Sequence, residues 1–248
     1  GLALGNVVGS NTANVLLVLG IPALLTTMHT SECDTRGSYL QMMAATALFI
    51  VLCFMGPLTW ISGVILLIAL AAMLVYAARA ANAHRKACAD DEEIEGADPS
   101  LGWPKISLYL VLGLIGMPLG ANLLVEGATS IAREFGISET VIGLTLVAIG
   151  TSLPELATTV MAALRRQADV ALGNVIGSNM FNLLGIMGVA SLVGNIPVDP
   201  AFLRFDLWVM ALASAALIPF VFLKKDITRI WGIGLTALYV IYLVVVLV

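Results

Sequence analysis

The sequence predicts an all-α polytopic membrane protein built on an internal inverted repeat, and three observations carry that prediction. Its 248 residues are 60% hydrophobic and 11% charged, against about 25% charged in an ordinary soluble domain, and mean hydropathy is +1.00. The apolar residues gather into eight runs, each near the roughly 20 residues a helix needs to cross a bilayer. A ten-residue stretch near the start, Gly5–Asn14, returns late in the chain as Gly173–Asn182.

The eight runs cover residues 2–25, 38–56, 58–78, 105–132, 138–164, 169–193, 205–223 and 229–248. Pro22, Pro57, Pro104, Pro197 and Pro200 fall at or near their ends, where a missing N–H does least harm. Pro118 and Pro154 fall inside them. Lys and Arg are placed unevenly: the first, third, fifth and seventh connections hold ten, the other three hold Arg133 and Arg204. By the positive-inside rule the odd connections are cytoplasmic and both ends of the chain lie outside.

The longest connection, 79–104, carries Asp90, Asp91, Glu92, Glu93, Glu95 and Asp98. A run of like charge reads as a solvated linker rather than a regulatory cation site. It divides residues 1–78 from a five-helix half, 105–248. Cys33, Cys53 and Cys88 lack metal-ligand spacing and read as free thiols. No basic patch with interleaved aromatics supports nucleic-acid binding. The chain opens inside an apolar run without Met or a recognisable signal peptide, and is expected to be the latter part of a longer protein.

Aligning residues 2–25 with 170–193, an offset of 168, gives 12 identities in 24 positions. Five passes separate the two copies, an odd number, so they run in opposite directions. Inverted repeats of this kind place a substrate site at the midplane where the copies meet. The helix before the second copy carries Gly150-Thr151-Ser152-Leu153-Pro154-Glu155-Leu156. By symmetry a second acidic motif is expected ahead of the first copy.

Ala148, Thr151, Ser152 and Glu155 follow i, i+3, i+4, i+7 spacing, which places them on one helix face. Pro154 has no N–H for the carbonyl of Gly150 and predicts a break beside two hydroxyls and a carboxylate. Oxygen donors at about 2.3–2.6 Å are what a hard cation such as Ca²⁺ requires, and Na⁺ takes similar donors. A proline kink alone explains the hydroxyls but not Glu155, which costs about 2.5–3.5 kcal/mol to bury in a span. Asn174, Ser178 and Asn182 share another face, as do Asn6, Ser10 and Asn14. Gly173/Gly177 and Gly5/Gly9 suit close helix packing, so glycines pack while amide and hydroxyl oxygens meet the ion. Glu126 reads as the other acidic residue within a span, interfacial or structural in role.

With these motifs assembled, the chain resembles the calcium/cation antiporter superfamily, the sodium/calcium-exchanger-like membrane proteins. Each family repeat pairs a Gly-Thr-Ser-Leu-Pro-Glu-like helix with a Gly-Asn-x-x-Gly-Ser-Asn-x-x-Asn-like helix. The second repeat is complete here over residues 143–182, and the first shows only its latter half, Gly5–Asn14. The resemblance implies an inverted-repeat antiporter fold with eight of ten expected helices. It implies that Glu155 is a shared Ca²⁺/Na⁺ ligand, with oxygens from Thr151 and Ser152 and the Ala148 carbonyl. Ser178 and Asn182 would line the sites, with Ser10 and Asn14 as their counterparts. Some members have Asp where this chain has Asn182, which leaves the number of Na⁺ sites and the stoichiometry open.

The expected function is therefore secondary active exchange of Ca²⁺ against Na⁺ by alternating access, in the bilayer of a bacterial-type inner membrane, with no cofactor and no need of a second subunit. Protonation of Glu155 would make H⁺ the coupling ion instead, and K⁺ dependence is left open. A passive channel would favour rings of charge or carbonyls. An intramembrane hydrolase would need a base beside its serine, and His29 and His84 fall in or beside connections.

Overall fold

The computed structural model describes residues 2–87, 102–137 and 139–247. Backbone that meets lipid must satisfy its own polar groups, and the apolar runs duly fold as helices: α1 (Leu2–Leu25), α2 (Arg36–Phe54), α3 (Trp60–Ala87), α4 (Trp103–Glu134), α5 (Leu144–Thr151), α6 (Leu153–Leu164), α7 (Ala168–Val193), α8 (Phe202–Val221) and α9 (Arg229–Leu247). Six of these, α1–α3 and α7–α9, are long and apolar enough to cross a membrane. The pair α5 and α6, bent by 49° at Ser152, makes a seventh if it is one broken span. The remaining run expected from sequence, 105–132, lies within the continuous helix α4. The helices α3 and α4 extend into the expected linker, while its acidic residues from Asp90 to Asp98, and Cys88, lie outside the described residues.

Helix α1 is the most enclosed span, with 83% of its apolar window buried. It lies against α5, and its last turns cross α9; α7 lies against α6 and α2, and its last turns cross α3. By contrast α4 turns Leu108, Leu112, Ile115, Leu119 and Leu123 outward.

The offset that relates the two sequence copies also relates their contacts. Two isolated β-bridges join the connections, Met28 with Ile227 and Leu58 with Ile196; adding 168 to Met28 gives Ile196, and adding 169 to Leu58 gives Ile227. Close helix crossings repeat in the same way. A Cβ on Gly232 would lie 2.9 Å from the Gly20 carbonyl oxygen, and one on Gly63 would lie 2.7 Å from that of Gly188. Both copies also loosen into a π-helical turn at corresponding places, Asn14–Val18 and Phe181–Ile186. Such turns interrupt the regular ladder and often mark functional sites.

One of the two bridged ends is tied by further bonds. His29 Nδ1 lies 3.0 Å from Asp226 Oδ2, the Ser31 amide donates to Asp226 Oδ1, and the Thr30 hydroxyl donates to the Lys225 carbonyl. Partial burial works to raise the Asp226 carboxyl, but the bonds from Ser31 and His29 prevail and hold it below its ordinary value.

Candidate cation-binding site

Where α5 breaks, the structure assembles most of the residues singled out from sequence. A cavity of about 560 Å³ is lined by Asn6, Ser10, Thr151, Glu155, Asn174, Ser178 and Asn182, with Gly173, Gly177, Phe181 and Ile186 completing its wall. Thr151 closes α5, and Pro154 stands in the first turn of α6, where its missing N–H is harmless. Glu155 follows in that same first turn, where a helix N-terminus favours negative charge.

Hydroxyls and amides converge around this break. The Thr151 hydroxyl lies 2.8 Å from Ser10 Oγ and 3.0 Å from Asn6 Oδ1, and Ser10 also donates to Asn6 Oδ1 at 3.2 Å. Ser178 lines the same cavity as Glu155. Asn174 Nδ2 holds the start of α6, donating to the Glu155 carbonyl at 3.2 Å and to the Thr158 and Thr159 hydroxyls. Among the described residues no Lys or Arg lines this cavity. Of the six buried side-chain oxygens without a hydrogen-bond partner among the described residues, three belong to residues singled out from sequence: Glu155 Oε2, Ser152 Oγ and Asn14 Oδ1. A buried carboxylate oxygen left unpaired is costly unless it meets a proton or a cation.

Three of the expected residues stand outside the cavity lining. Ala148 is fully buried, facing Gly9 of α1, and its carbonyl accepts from the Ser152 amide at 3.1 Å and the Thr151 hydroxyl at 3.2 Å. Ser152 sits in the bend and is 2% exposed, because the break turns it away from the face that an unbroken helix would give it. Asn14 lies within the contact between α1 and α7, where its amide donates to Asn179 Oδ1 at 3.0 Å.

Several residues escaped the sequence reading. Asn11 and Asn179 join the two copies, with Asn182 Nδ2 donating to Asn11 Oδ1 at 3.3 Å and Asn179 Nδ2 to the Asn11 carbonyl at 3.4 Å. Both were visible in the repeated motif but stood off the face chosen there. Asp206, buried in α8, accepts from the Tyr242 hydroxyl at 3.4 Å. Glu126 is thus not the other acidic residue in a span, and it accepts from its neighbour Asn122 at 2.8 Å on the exposed side of α4. Cys33 and Cys53 are free thiols.

Residues 1–79 and 105–248 match the family described as sodium/calcium exchanger protein. The chain belongs to the sodium/calcium exchanger family. It is 35% identical over 287 residues to sodium/calcium exchanger MaX1 of Methanosarcina acetivorans, covering 99% of this chain and 80% of that one. Inner membrane protein YrbG of Escherichia coli is 35% identical over 218 residues, 86% of this chain and 66% of its own length. Among solved structures, the sodium-calcium exchanger NCX_Mj soaked with Na⁺ and Sr²⁺ superposes with a TM-score of 0.75 at 34% identity, covering 98% of this chain and 76% of that chain. The family is one of membrane cation exchangers, transporters rather than enzymes, so the hydrolase reading of the intramembrane serines falls away.

Proposed function

We propose that the protein exchanges Ca²⁺ for Na⁺ by alternating access, with the ions held in the cavity around Glu155. The observation that carries this reading is the unpaired, buried Glu155 carboxylate oxygen in a cavity walled by hydroxyls and amides. Thr151, Ser10, Ser178, Asn6, Asn174 and Asn182 are the oxygen donors that line it. Asn14, with its unpaired Oδ1 on α1, and Ser152 and the Ala148 carbonyl at the bend are the further oxygens of the site. The exchanging β-bridges and glycine crossings support two copies of opposite direction, related by a twofold axis in the membrane plane, which puts the cavity near the midplane. Eight spans and cytoplasmic odd connections complete the arrangement.

A broken helix equivalent to α5 and α6, from residues outside Gly1–Val248, brings a second carboxylate to the Gly173/Gly177 face of α7. Two carboxylates neutralise one Ca²⁺, and replacement by monovalent cations is then nearly isoelectric in a low-dielectric site. Proton coupling through Glu155 is the second reading, because a proton on the unpaired Oε2 satisfies that oxygen as a cation does.

The experiment is ⁴⁵Ca²⁺ uptake into everted membrane vesicles carrying the full-length protein, with a Na⁺-loaded lumen, with Na⁺ on both sides, or with an imposed pH gradient. Uptake that follows the Na⁺ gradient is the expected result. Uptake that follows the pH gradient alone keeps the site and replaces Na⁺ by H⁺. Uptake under neither gradient contradicts the proposal.

A further inference from the structure

Resting on that cation-site reading, we infer that Asn11 and Asn179 are positioning residues. They set which end of the Asn182 and Asn14 amides faces the ion, and the thioethers of Met210 and Met42 fix their own orientation in turn. The two ends of an asparagine amide are alike in size, so only their partners decide which end points where. Asn11 Nδ2 donates to Met210 Sδ at 3.7 Å, and Asn179 Nδ2 donates to Met42 Sδ at 3.8 Å. All four side chains are buried to within 1%. A thioether accepts and never donates, so it admits only the NH₂ end of the neighbouring amide. The bond itself is weak; its value is that it excludes the reversed orientation.

The consequence passes along each arm. With Nδ2 committed to sulfur, and in Asn179 also to the Asn11 carbonyl at 3.4 Å, Oδ1 of Asn11 points to Asn182 and accepts its amide at 3.3 Å, while Oδ1 of Asn179 accepts the Asn14 amide at 3.0 Å. Asn182 and Asn14 then have their NH₂ ends held at the contact between α1 and α7, and their carbonyl oxygens are left over. That of Asn14 is buried without a partner, and Asn182 lines the cavity. An amide turned the other way would present N–H dipoles to a cation. The arms Met210–Asn11–Asn182 and Met42–Asn179–Asn14 map onto one another residue for residue at the offset of 168, so the polarity device occurs twice.

The test compares Asn11→Leu and Asn179→Leu, which keep only volume, with Met210→Leu and Met42→Leu, which keep the asparagines but remove the sulfur that excludes their reversed orientation, in the full-length protein. The asparagine variants are expected to raise the KM for Ca²⁺ about tenfold with a smaller change in maximal rate, Met210→Leu about threefold, and Met42→Leu less, because the Asn11 carbonyl still holds Asn179. Melting temperatures of the purified protein in Ca²⁺-free detergent supply a second readout. Asn11→Leu combined with Asn182→Leu should lower Tm by less than the sum of the single effects. Asparagine variants or Met210→Leu with wild-type KM, or additive melting losses, each overturn the relay. Failure of the cation-site reading shows separately, as Ca²⁺ handling unchanged by Glu155→Gln while the melting cycle still reports the hydrogen bonds.

Discussion

The helices α1 and α7 present the same glycines, asparagines and serine at the same spacing, yet they meet different company. On α1 a Cβ at Gly9 would lie 2.6 Å from the Leu144 carbonyl oxygen and 2.7 Å from Ala148 Cβ. At the equivalent Gly177, and at Gly173, it would meet nothing within 4 Å. Likewise Asn6 and Ser10 are engaged with Thr151 of α5, whereas Asn174 bonds the carboxylate-bearing α6 and Ser178 shares the cavity wall with Glu155. The difference teaches that the repeated motif encodes two separable things. Its asparagines pair the copies with each other in either environment, and its glycines receive a helix on one copy while walling the cavity on the other.

The largest effect should come from the residue that makes the two faces unequal. Glu155→Gln keeps the shape and removes the charge; Na⁺-driven ⁴⁵Ca²⁺ uptake should fall to background, at least about a hundredfold, because an uncompensated Ca²⁺ is then buried. Next come the glycines. Gly9→Ala must push α5 away from α1, and overpacking of this kind destabilises by about 1–3 kcal/mol, read as a lowered Tm and reduced transport. If a further helix covers the α7 face as proposed, Gly177→Ala in the full-length protein should lose stability to the same extent; a Tm unchanged from wild type would show that face to be open.

Smaller effects sharpen the comparison. Ser178→Ala removes a hydroxyl from the cavity wall that holds the Glu155 carboxylate and should raise the KM for Ca²⁺ about three- to tenfold, and Ser10→Ala, whose neighbours are a hydroxyl and an amide, about twofold. Equal effects would mean that the carboxylate does not distinguish the two faces. The smallest belongs to the tied end. Because the Asp226 carboxyl is held below its ordinary value, its bonds stabilise the fold above the unfolded value of 3.8 and are lost as pH falls through the lower folded one. Asp226→Asn should lower Tm near neutral pH by no more than about 2 °C, a difference that shrinks below about pH 4.

Much of this was legible in the sequence, for identifiable reasons. Apolar length is decisive in lipid, so the helical runs and the break at Pro154 followed directly. The recurrence of Gly5–Asn14 supplied both asparagine faces. What escaped was whatever depends on pairing across space. Spacing placed Ala148 and Ser152 with Thr151 and Glu155 on one face, but the 49° bend divides that face. The motif contained Asn11 and Asn179, yet their thioether partners lie far off in the chain, Met210 of α8 199 residues after Asn11 and Met42 of α2 137 residues before Asn179. Asp206 meets its partner Tyr242 only after α9 has folded back beside α8.

The central claim is that Ca²⁺ and Na⁺ share the cavity at Glu155. Its most direct test is the melting temperature of the purified full-length protein as Ca²⁺ is titrated, with and without Na⁺, since a ligand that binds the folded state alone stabilises it by mass action. The account predicts a Ca²⁺-dependent rise in Tm for wild type, shifted to higher Ca²⁺ by Na⁺ and missing in Glu155→Gln. An equal rise in Glu155→Gln, or one indifferent to Na⁺, would contradict it.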